Sequence, residues 1–321
     1  MKDEGRGKFF SSLKFILHPS SFILLFLFLA ACHRVSDKIE PKLQYAVQDH
    51  HLKSLPSPFS PLTHAEIREE WSREYLIGLG FAKELDLYQA ITAFKRATFL
   101  QPPASRKLEV EYEILLCYYL GGKYDEATAT FEKTGLHTID QNFPAGRDLL
   151  IMIYDSYSQT KQEEKASQVL AILKQYYPET AEKLVLSTEL KEGDIASLKQ
   201  EPSMQEFVAS YEKEKKSVGA AQGLNALVPG AGYLYLGQKQ SALTAFFLNG
   251  LFIAASWYFF DHHNVAAGAI FASFEAGWYF GGIYGAGLEA KAYNERLYER
   301  KATPLMNEKD LFPVLMLNHA F

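Results

Sequence analysis

The residue types that carry out catalysis are present in this chain, but they do not stand at spacings that make a catalytic site. Its nine histidines are scattered, and it has two cysteines, Cys32 and Cys117. No nucleophile–base pair, carboxylate dyad or metal-ligand cluster stands at a usable spacing. The adjacent His50 and His51 lack a third ligand nearby in the sequence. We therefore expect a protein that is not an enzyme and that binds no cofactor and no metal.

Cys32 is the residue whose setting predicts a chemical modification. It ends the string Leu29-Ala30-Ala31-Cys32, which follows an apolar run that begins at Phe22. Lysine and arginine residues precede the run, so a charged segment, an apolar segment and small residues follow one another as in a secretory signal. The run is too short to span a bilayer comfortably.

The Leu-Ala-Ala-Cys string resembles the lipobox of bacterial lipoproteins. This resemblance implies that residues 1–31 are a signal peptide and that Cys32 becomes the mature N-terminus, carrying acyl chains such as palmitate. The alternative is an uncleaved N-terminal anchor in which the cysteine is incidental.

The composition predicts a folded, two-domain protein. The chain has 321 residues, of which 48% are apolar and 14% aromatic, enough to bury a core. A net charge of -5 and a pI near 6.0 mean that the chain lacks the excess positive charge that binds a polyanion, so nucleic acid is not expected as a partner. After Cys32, residues 32–62 read as a linker because Pro56, Pro58 and Pro61 interrupt both helix and strand.

Residues 63–216 are predicted to form a helical repeat domain. From Trp71 to Leu184 the pattern has helical periodicity and matches itself at offsets of 37 and 39 residues. The matching residues are Ala90, Phe94 and Ala97 in the first copy, Ala127 and Phe131 in the second, and Ala166, Leu170 and Leu173 in the third.

These copies resemble tetratricopeptide (TPR) repeats, a family of stacked helix pairs. The residues that carry the resemblance in the first copy are Gly78, Phe81, Ala90, Phe94, Ala97 and Pro102, and the second copy adds the turn Gly122-Lys123-Tyr124-Asp125-Glu126-Ala127. Leu115 and Tyr154 depart from the family's small residues, and a generic helical bundle is the alternative interpretation.

The resemblance implies a groove lined by the first helix of each pair, suited to a protein or peptide partner. We expect its lining to be largely aromatic and aliphatic, as fits an apolar partner. Flanking helices at residues 181–190 or 203–216 are an alternative filling for the same groove. The lining residues would be Tyr75, Leu79, Tyr112, Leu116, Tyr119, Ile151, Asp155 and Ser158.

Residues 217–290 are predicted to form a membrane domain with two transmembrane helices. Residues 241–260 carry no charge, and residues 264–287 carry only Glu275. Each stretch is long enough to cross a hydrocarbon core of about 30 Å. The connector between them is short, so we expect an antiparallel hairpin.

The second stretch has a stripe of small residues that favours close helix packing. The partner helix would be the first span or a second copy of the protein, which would make a homo-oligomer. Glu275 lies at about the depth of Asn249, and we expect a hydrogen bond between them; a proton or ion relay is the alternative. The stripe consists of Ala269, Ser273, Gly277, Gly281 and Gly285.

The segment before the spans resembles the Pro-Gly-x-Gly-x-x-Tyr-x-Gly motif with which small two-span membrane domains of bacteria and eukaryotes begin. The matching residues are Pro229, Gly230, Gly232, Tyr235 and Gly237. The resemblance implies architecture rather than chemistry, with a re-entrant or interfacial segment before the hairpin.

Together these features predict an all-α scaffold or assembly factor of the bacterial cell envelope. A TPR-like solenoid would bind a protein partner in the periplasm, a hairpin and lipid would hold it at the inner membrane, and residues 291–321 would be a tail. Lysine and arginine flank both ends of the hairpin, so the positive-inside rule opposes this topology. The alternative function is a small membrane component of transport or envelope biogenesis that acts through Glu275.

Overall fold

The computed structural model describes residues 34–43, 45, 49–138 and 142–321. These residues form α-helices, short 3-10 helices and loops, and no strand occurs among them. The all-α prediction is therefore confirmed for the described part of the chain. The predicted signal peptide and Cys32 lie outside the described residues.

The helices divide into two compact units. The helix-pair unit consists of Leu43–Pro202 and Lys301–Phe321, and the hairpin unit consists of Ser203–Arg300 with the described residues up to Lys42. The domains predicted from the sequence ended at residues 216 and 290, whereas these units are divided after residues 202 and 300. Residues 203–216 join the hairpin unit, and most of the predicted tail joins the helix-pair unit, because packing rather than chain order defines each core.

The helix-pair unit contains three antiparallel helix pairs in succession, preceded by a short helix and followed by a further long and short helix. Each helix packs mainly on its neighbours in the chain, as in repeat proteins. The helices are α1 (Asp49–Ser54), α2 (Glu70–Lys83), α3 (Leu87–Phe99), α4 (Ala104–Leu120), α5 (Tyr124–Lys133), α6 (Gly146–Gln159), α7 (Glu163–Tyr176), α8 (Pro178–Glu192) and α9 (Ile195–Leu198).

The turn inside each pair has the same geometry three times, at the sequence offsets of the predicted repeat. Its middle residue is left-handed, with φ values of 65°, 66° and 58° at Leu85, Gly122 and Lys161. The N–H of the residue after it donates a hydrogen bond to the carbonyl five residues earlier, as in a Schellman motif. These bonds run from Asp86 to Phe81 (2.9 Å), from Lys123 to Tyr118 (2.8 Å) and from Gln162 to Tyr157 (2.9 Å).

Side chains predicted from the repeat pattern lie in the core. Ala90, Phe94 and Ala97 are fully buried on α3. Gly78 on α2 is required where the two helices cross, because a Cβ there would lie 2.6 Å from the ring of Phe94. The small residue of the repeat pattern thus has a packing reason in the first pair, while Leu115 replaces it inside the second pair.

The hairpin unit begins with short helices and ends with two long ones. Its helices are α10 (Gln205–Glu214), α11 (Val218–Leu227), α12 (Ala231–Tyr235), α13 (Lys239–Asp261) and α14 (Val265–Glu308). The side chain of Ser217 caps α11 by accepting a hydrogen bond from the N–H of Ala220 at 3.1 Å. The last residues of α14, from Lys301, belong to the helix-pair unit.

Among the described residues, α13 is the helix that is long and apolar enough to cross a membrane. The predicted pair of spans is therefore reduced to one candidate span. The first half of α14 is a helix as predicted, but Glu275 and several glycines make it less apolar than α13.

α13 and α14 pack on each other through aromatic rings. The ring of Phe259 stacks on that of Phe271 with centroids 5.3 Å apart, and Phe252 lies 6.4 Å from the same ring. Gly268 permits this approach, because a Cβ there would lie 2.7 Å from the ring of Phe260. Both helices also expose large apolar side chains, namely Leu243, Phe246, Phe247, Leu251, Ile253 and Trp257 on α13, and Ile270, Phe274 and Trp278 on α14.

Candidate functional site

The first-helix face is the surface of α2, α4 and α6 that was predicted to line a groove. The structure places its residues side by side on the first helices of the three pairs, but it does not leave them open. Tyr112 and Leu116 are fully buried, and Leu79 is half-buried. The remaining buried residues of this face are Tyr75, Tyr119, Ile151 and Asp155.

Residues 59–66 cover the part of this face formed by α4. The ring of Phe59 meets Tyr112 edge to face, with centroids 5.4 Å apart. Arg106 on α4 fastens the segment, because its guanidinium donates to the Ser60 carbonyl at 3.0 Å and to the carboxylate of Glu66 at 2.8 Å. The guanidinium also lowers the pKa of Glu66 to about 2, since it donates to the ionised carboxylate. The predicted linker is thus packed on the helix pairs here.

Asp155 is engaged by neighbouring side chains instead of facing an open groove. Tyr119 donates its hydroxyl proton to Asp155 Oδ2 at 2.9 Å, and Lys191 Nζ donates to Oδ1 at 3.0 Å. Burial, followed by the charge of Asp155, raises the pKa of Tyr119, so this phenol remains a hydrogen-bond donor. Because Lys191 belongs to α8, a flanking helix contributes to the filling, as the alternative interpretation anticipated.

The last residues of the chain cover the part of the face formed by α6. Asp148, which is 1% exposed, accepts hydrogen bonds at Oδ2 from the backbone N–H groups of Asn318 (3.0 Å) and His319 (2.9 Å). The imidazole Nδ1 of His319 lies 3.0 Å from the same oxygen. Arg147 donates to the carbonyl of Met316 at 2.8 Å and to Asp148 Oδ1 at 2.9 Å. We call residues 311–321 the tail segment and this set of contacts the latch.

The tail segment is packed, not frayed. Its 3-10 helix, Pro313–Met316, packs against α6 and α8. The ring of Phe312 lies 5.3 Å from that of Tyr45, and the N–H of Ala320 donates to the Pro56 carbonyl at 3.0 Å. The first-helix face is therefore occupied by the chain's own residues on both sides, mainly by segments other than the two helices named from the sequence.

The Pro-Gly motif forms a tight corner in the hairpin unit. The Asn225 side chain accepts a hydrogen bond from the N–H of Gly230 at 2.8 Å. Gly230 has a φ of 92°, and a Cβ there would overlap the backbone carbonyl of Ala242. Glycine is therefore needed both for the left-handed conformation and for the close approach of α13.

Gly232 and Tyr235 have packing roles of their own. A Cβ at Gly232 would overlap the carbonyl of Ala221 and lie 2.9 Å from the Cβ of Ala286, so three helices meet at this point. The phenol oxygen of Tyr235 accepts from the N–H of Ser217 at 3.2 Å. Gly237 supplies the next left-handed turn, with a φ of 81°. Pro229 is half-buried at the corner, and the motif as a whole shapes the fold.

The small-residue stripe packs against another side chain at its C-terminal end and is open elsewhere. A Cβ at Gly285 would lie 2.6 Å from the hydroxyl oxygen of Tyr233, whereas nothing lies within 4 Å of one at Gly277 or Gly281. Ser273 donates to the Ala269 carbonyl at 2.8 Å and is exposed. The stripe therefore does not pack against α13, and its glycines form part of a cleft of about 640 Å³.

Asn249 and Glu275 show no hydrogen bond to each other. Asn249 donates to the carbonyl of Ala245 at 2.6 Å, and its buried Oδ1 has no partner among the described residues. Oε2 of Glu275 is likewise buried and unpartnered within that part of the chain. The predicted pairing is not what the structure shows.

Sequence reasoning missed the residues that fasten the segments, chiefly Arg106, Arg147, Asp148 and Asn225. A signal was present for two of them, because Arg147 and Asp148 directly precede the apolar run Leu149-Leu150-Ile151-Met152-Ile153 of a helix that is buried almost all round. Within the described residues, no group of three or more histidine, cysteine, aspartate or glutamate side chains is placed to hold a metal ion.

No family model, curated protein sequence or solved structure matches this chain.

Proposed function

We propose that this protein is a membrane-anchored, protein-binding scaffold or assembly factor of the bacterial cell envelope. In this proposal Cys32 is lipidated, α13 and the adjoining half of α14 enter the inner membrane, and the TPR-like helix pairs bind a partner in the periplasm. The partner is a protein or peptide, and no catalytic step is assigned to the chain.

The observation that carries the membrane part is the exposure of large apolar side chains on α13. Leu243, Phe247 and Leu251 are each more than half exposed, although a folded soluble protein normally buries such residues together. A helix of 23 residues whose surface is apolar and largely unburied is the structure that hydrocarbon stabilises.

The scaffold part is supported by the three helix pairs with identical turns. Stacked helix pairs present extended surfaces without catalytic groups, which is how repeat domains bind other proteins. The open glycines of α14 leave room for a second helix, and this is the basis for including homo-oligomers among the proposed assemblies.

The three tryptophans allow a direct test of the membrane part. Trp257 on α13 is 75% exposed, Trp278 on α14 is 47% exposed, and Trp71 on α2 is 4% exposed. We would prepare three single-tryptophan variants, with phenylalanine at the other two positions, and reconstitute each into vesicles whose acyl chains carry bromine, a contact quencher of indole fluorescence.

Strong quenching of Trp257 is expected, with Trp71 as the unquenched control in the other unit. Quenching of Trp278 as well would support a two-helix insertion, and quenching of Trp257 alone would leave α13 as the single anchor. Equal fluorescence of all three variants in brominated and ordinary vesicles would refute the membrane proposal.

A second candidate function rests on the unpartnered polar atoms of the hairpin unit. Buried oxygens of Glu275, Asn249 and Ser256 have no partner among the described residues, an arrangement that is costly in hydrocarbon and typical of transport or relay sites. Glu275→Gln distinguishes the two candidates, since it keeps the shape and removes the charge. If the protein is a scaffold, its partner binding is expected to be unchanged in Glu275→Gln. If it is a relay, its transfer of protons or ions is expected to be lost.

A further inference from the structure

We propose that the surface of α6 and α8 under the tail segment is a binding site for an apolar segment of a partner protein, and that the tail segment is its internal ligand. This inference rests on the partner-binding role proposed above. It goes further by naming the surface, the recognising groups and the kind of segment that fits.

The first argument is that the latch recognises main-chain atoms. Asp148 accepts from the N–H groups of Asn318 and His319, and Arg147 donates to the carbonyl of Met316. Every polypeptide has these groups except where proline removes an N–H. A segment of different sequence can therefore make the same three hydrogen bonds if it adopts the same backbone conformation.

The second argument is that the side chains of the tail segment add apolar burial with little polar readout. Phe312, Val314 and Met316 are all buried. Within the latch, only the imidazole of His319 contributes a polar side-chain contact from the tail. Apolar side chains of similar volume substitute for one another at modest cost, so the surface favours a class of apolar segments over one sequence.

The third argument concerns the connection between the tail segment and α14. The helix ends at Glu308, and Asp310 follows with a φ of 51°, the left-handed conformation that commonly ends a helix, while the N–H of Leu311 donates to the Met306 carbonyl at 2.8 Å. The bond that closes this turn joins Leu311 to α14 itself, so it does not depend on where the residues after Leu311 lie. The three helix pairs pack mainly on their neighbours in the chain, so most of their buried contacts lie outside the tail segment.

The test uses the complete chain in detergent, with a protease site inserted after Asp310. Cleavage of the folded protein, followed by dialysis, removes the tail segment without a refolding step. The probe is a synthetic peptide of residues 311–321 that carries fluorescein and three lysines at its N-terminus for solubility, and binding is followed by fluorescence anisotropy.

The peptide is expected to bind the cleaved protein and not the uncleaved one. Asp148→Ala in the cleaved protein is expected to weaken binding about tenfold or more, because two N–H groups lose a charged acceptor. Asp125→Ala, which removes an exposed carboxylate on α5, is the matched control and is expected to leave binding unchanged.

Two altered peptides test main-chain recognition directly. A peptide with alanine in place of Asn318 and His319 keeps both N–H groups and is expected to bind within about threefold of the original. A peptide N-methylated at those two positions loses both N–H groups and is expected to bind at least about tenfold more weakly.

Three results would overturn the inference. The first is equal loss with the alanine and N-methyl peptides, because the site would then read the tail's own side chains. The second is no binding by the cleaved protein. The third is a full-length dimer that becomes monomeric on cleavage, since the occupant would then be the tail of a second copy. The vesicle test measures membrane insertion and does not involve the tail segment, so failure of the membrane proposal and failure of this inference are separate outcomes.

Discussion

Glu113 on α4 is expected to make the stability of the helix-pair unit fall as pH rises, and Glu113→Gln is expected to remove that dependence. The side chain of Glu113 is fully buried, and neither carboxylate oxygen has a hydrogen-bond partner among the described residues. Burial raises the pKa of Glu113 well above its ordinary value, and the nearby carboxylate of Glu109 raises it further, while Lys83 lowers it. The folded protein therefore holds this group as a neutral acid.

The sign follows from which state binds the proton. In the unfolded chain Glu113 ionises with a pKa of about 4.3, whereas in the folded chain it stays protonated to higher pH. Its contribution to stability is fully present below the unfolded pKa and is lost as pH rises toward the folded pKa. The loss is about 1.4 kcal/mol per pH unit, so between pH 5 and pH 7 it amounts to about 3 kcal/mol while the folded carboxyl stays protonated.

Glutamine matches the shape of the protonated acid and has no charge to lose. We expect Glu113→Gln to be similar to or slightly less stable than the wild type at pH 5, because its amide is also buried without partners. At pH 7 it is expected to be the more stable protein. The exposed Glu126 on α5 provides the control variant Glu126→Gln.

The assay is urea unfolding of the full chain in detergent at pH 5, 6 and 7. Trp257 and Trp278 are replaced by phenylalanine in every protein, so that fluorescence reports Trp71, which is buried in the helix-pair unit. The quantity compared is the difference in free energy of unfolding between variant and wild type. A difference that stays constant across the three pH values would refute the reasoning, because Glu113 would then be ionised or solvated in the folded state.

Two further predictions concern the packing of each unit. Gly232→Ala is expected to destabilise the hairpin unit by about 1–3 kcal/mol, because its Cβ would overlap a backbone carbonyl. The control is Gly223→Ala, at an exposed helical position with nothing within 4 Å of the new Cβ, which is expected to stabilise the unit by about 0.5–1 kcal/mol. Similar melting temperatures of the two variants would contradict the contact assigned to Gly232. Arg106→Met is expected to raise the amide hydrogen-exchange rate of residues 58–68 by about tenfold or more, because it removes the hydrogen bonds to the carbonyls and carboxylates of this segment. Arg96→Met, which removes an exposed ion pair at 3.8 Å, serves as the control. Unchanged exchange rates in Arg106→Met would show that apolar contacts alone hold the segment.

The all-α class is the feature of the fold that sequence reasoning predicted best. Offsets of 37 and 39 residues between Ala90, Ala127 and Ala166 reappear as the spacing of three left-handed turn residues, Leu85, Gly122 and Lys161. Periodicity and turn residues are local properties, so they are readable from neighbouring positions along the chain. The same holds for α13, whose length and apolar composition are continuous in the sequence.

The occupation of the first-helix face was decided by tertiary structure. The contact between Asp148 and His319 joins residues far apart in the chain, and no local pattern at either position announces the other. Burial of Tyr112 under Phe59 depends in the same way on where a proline-rich segment comes to lie. Local periodicity predicted which residues share a helix face, but which other segment covers that face is set by long-range packing, and a single sequence carries no periodic signal of it.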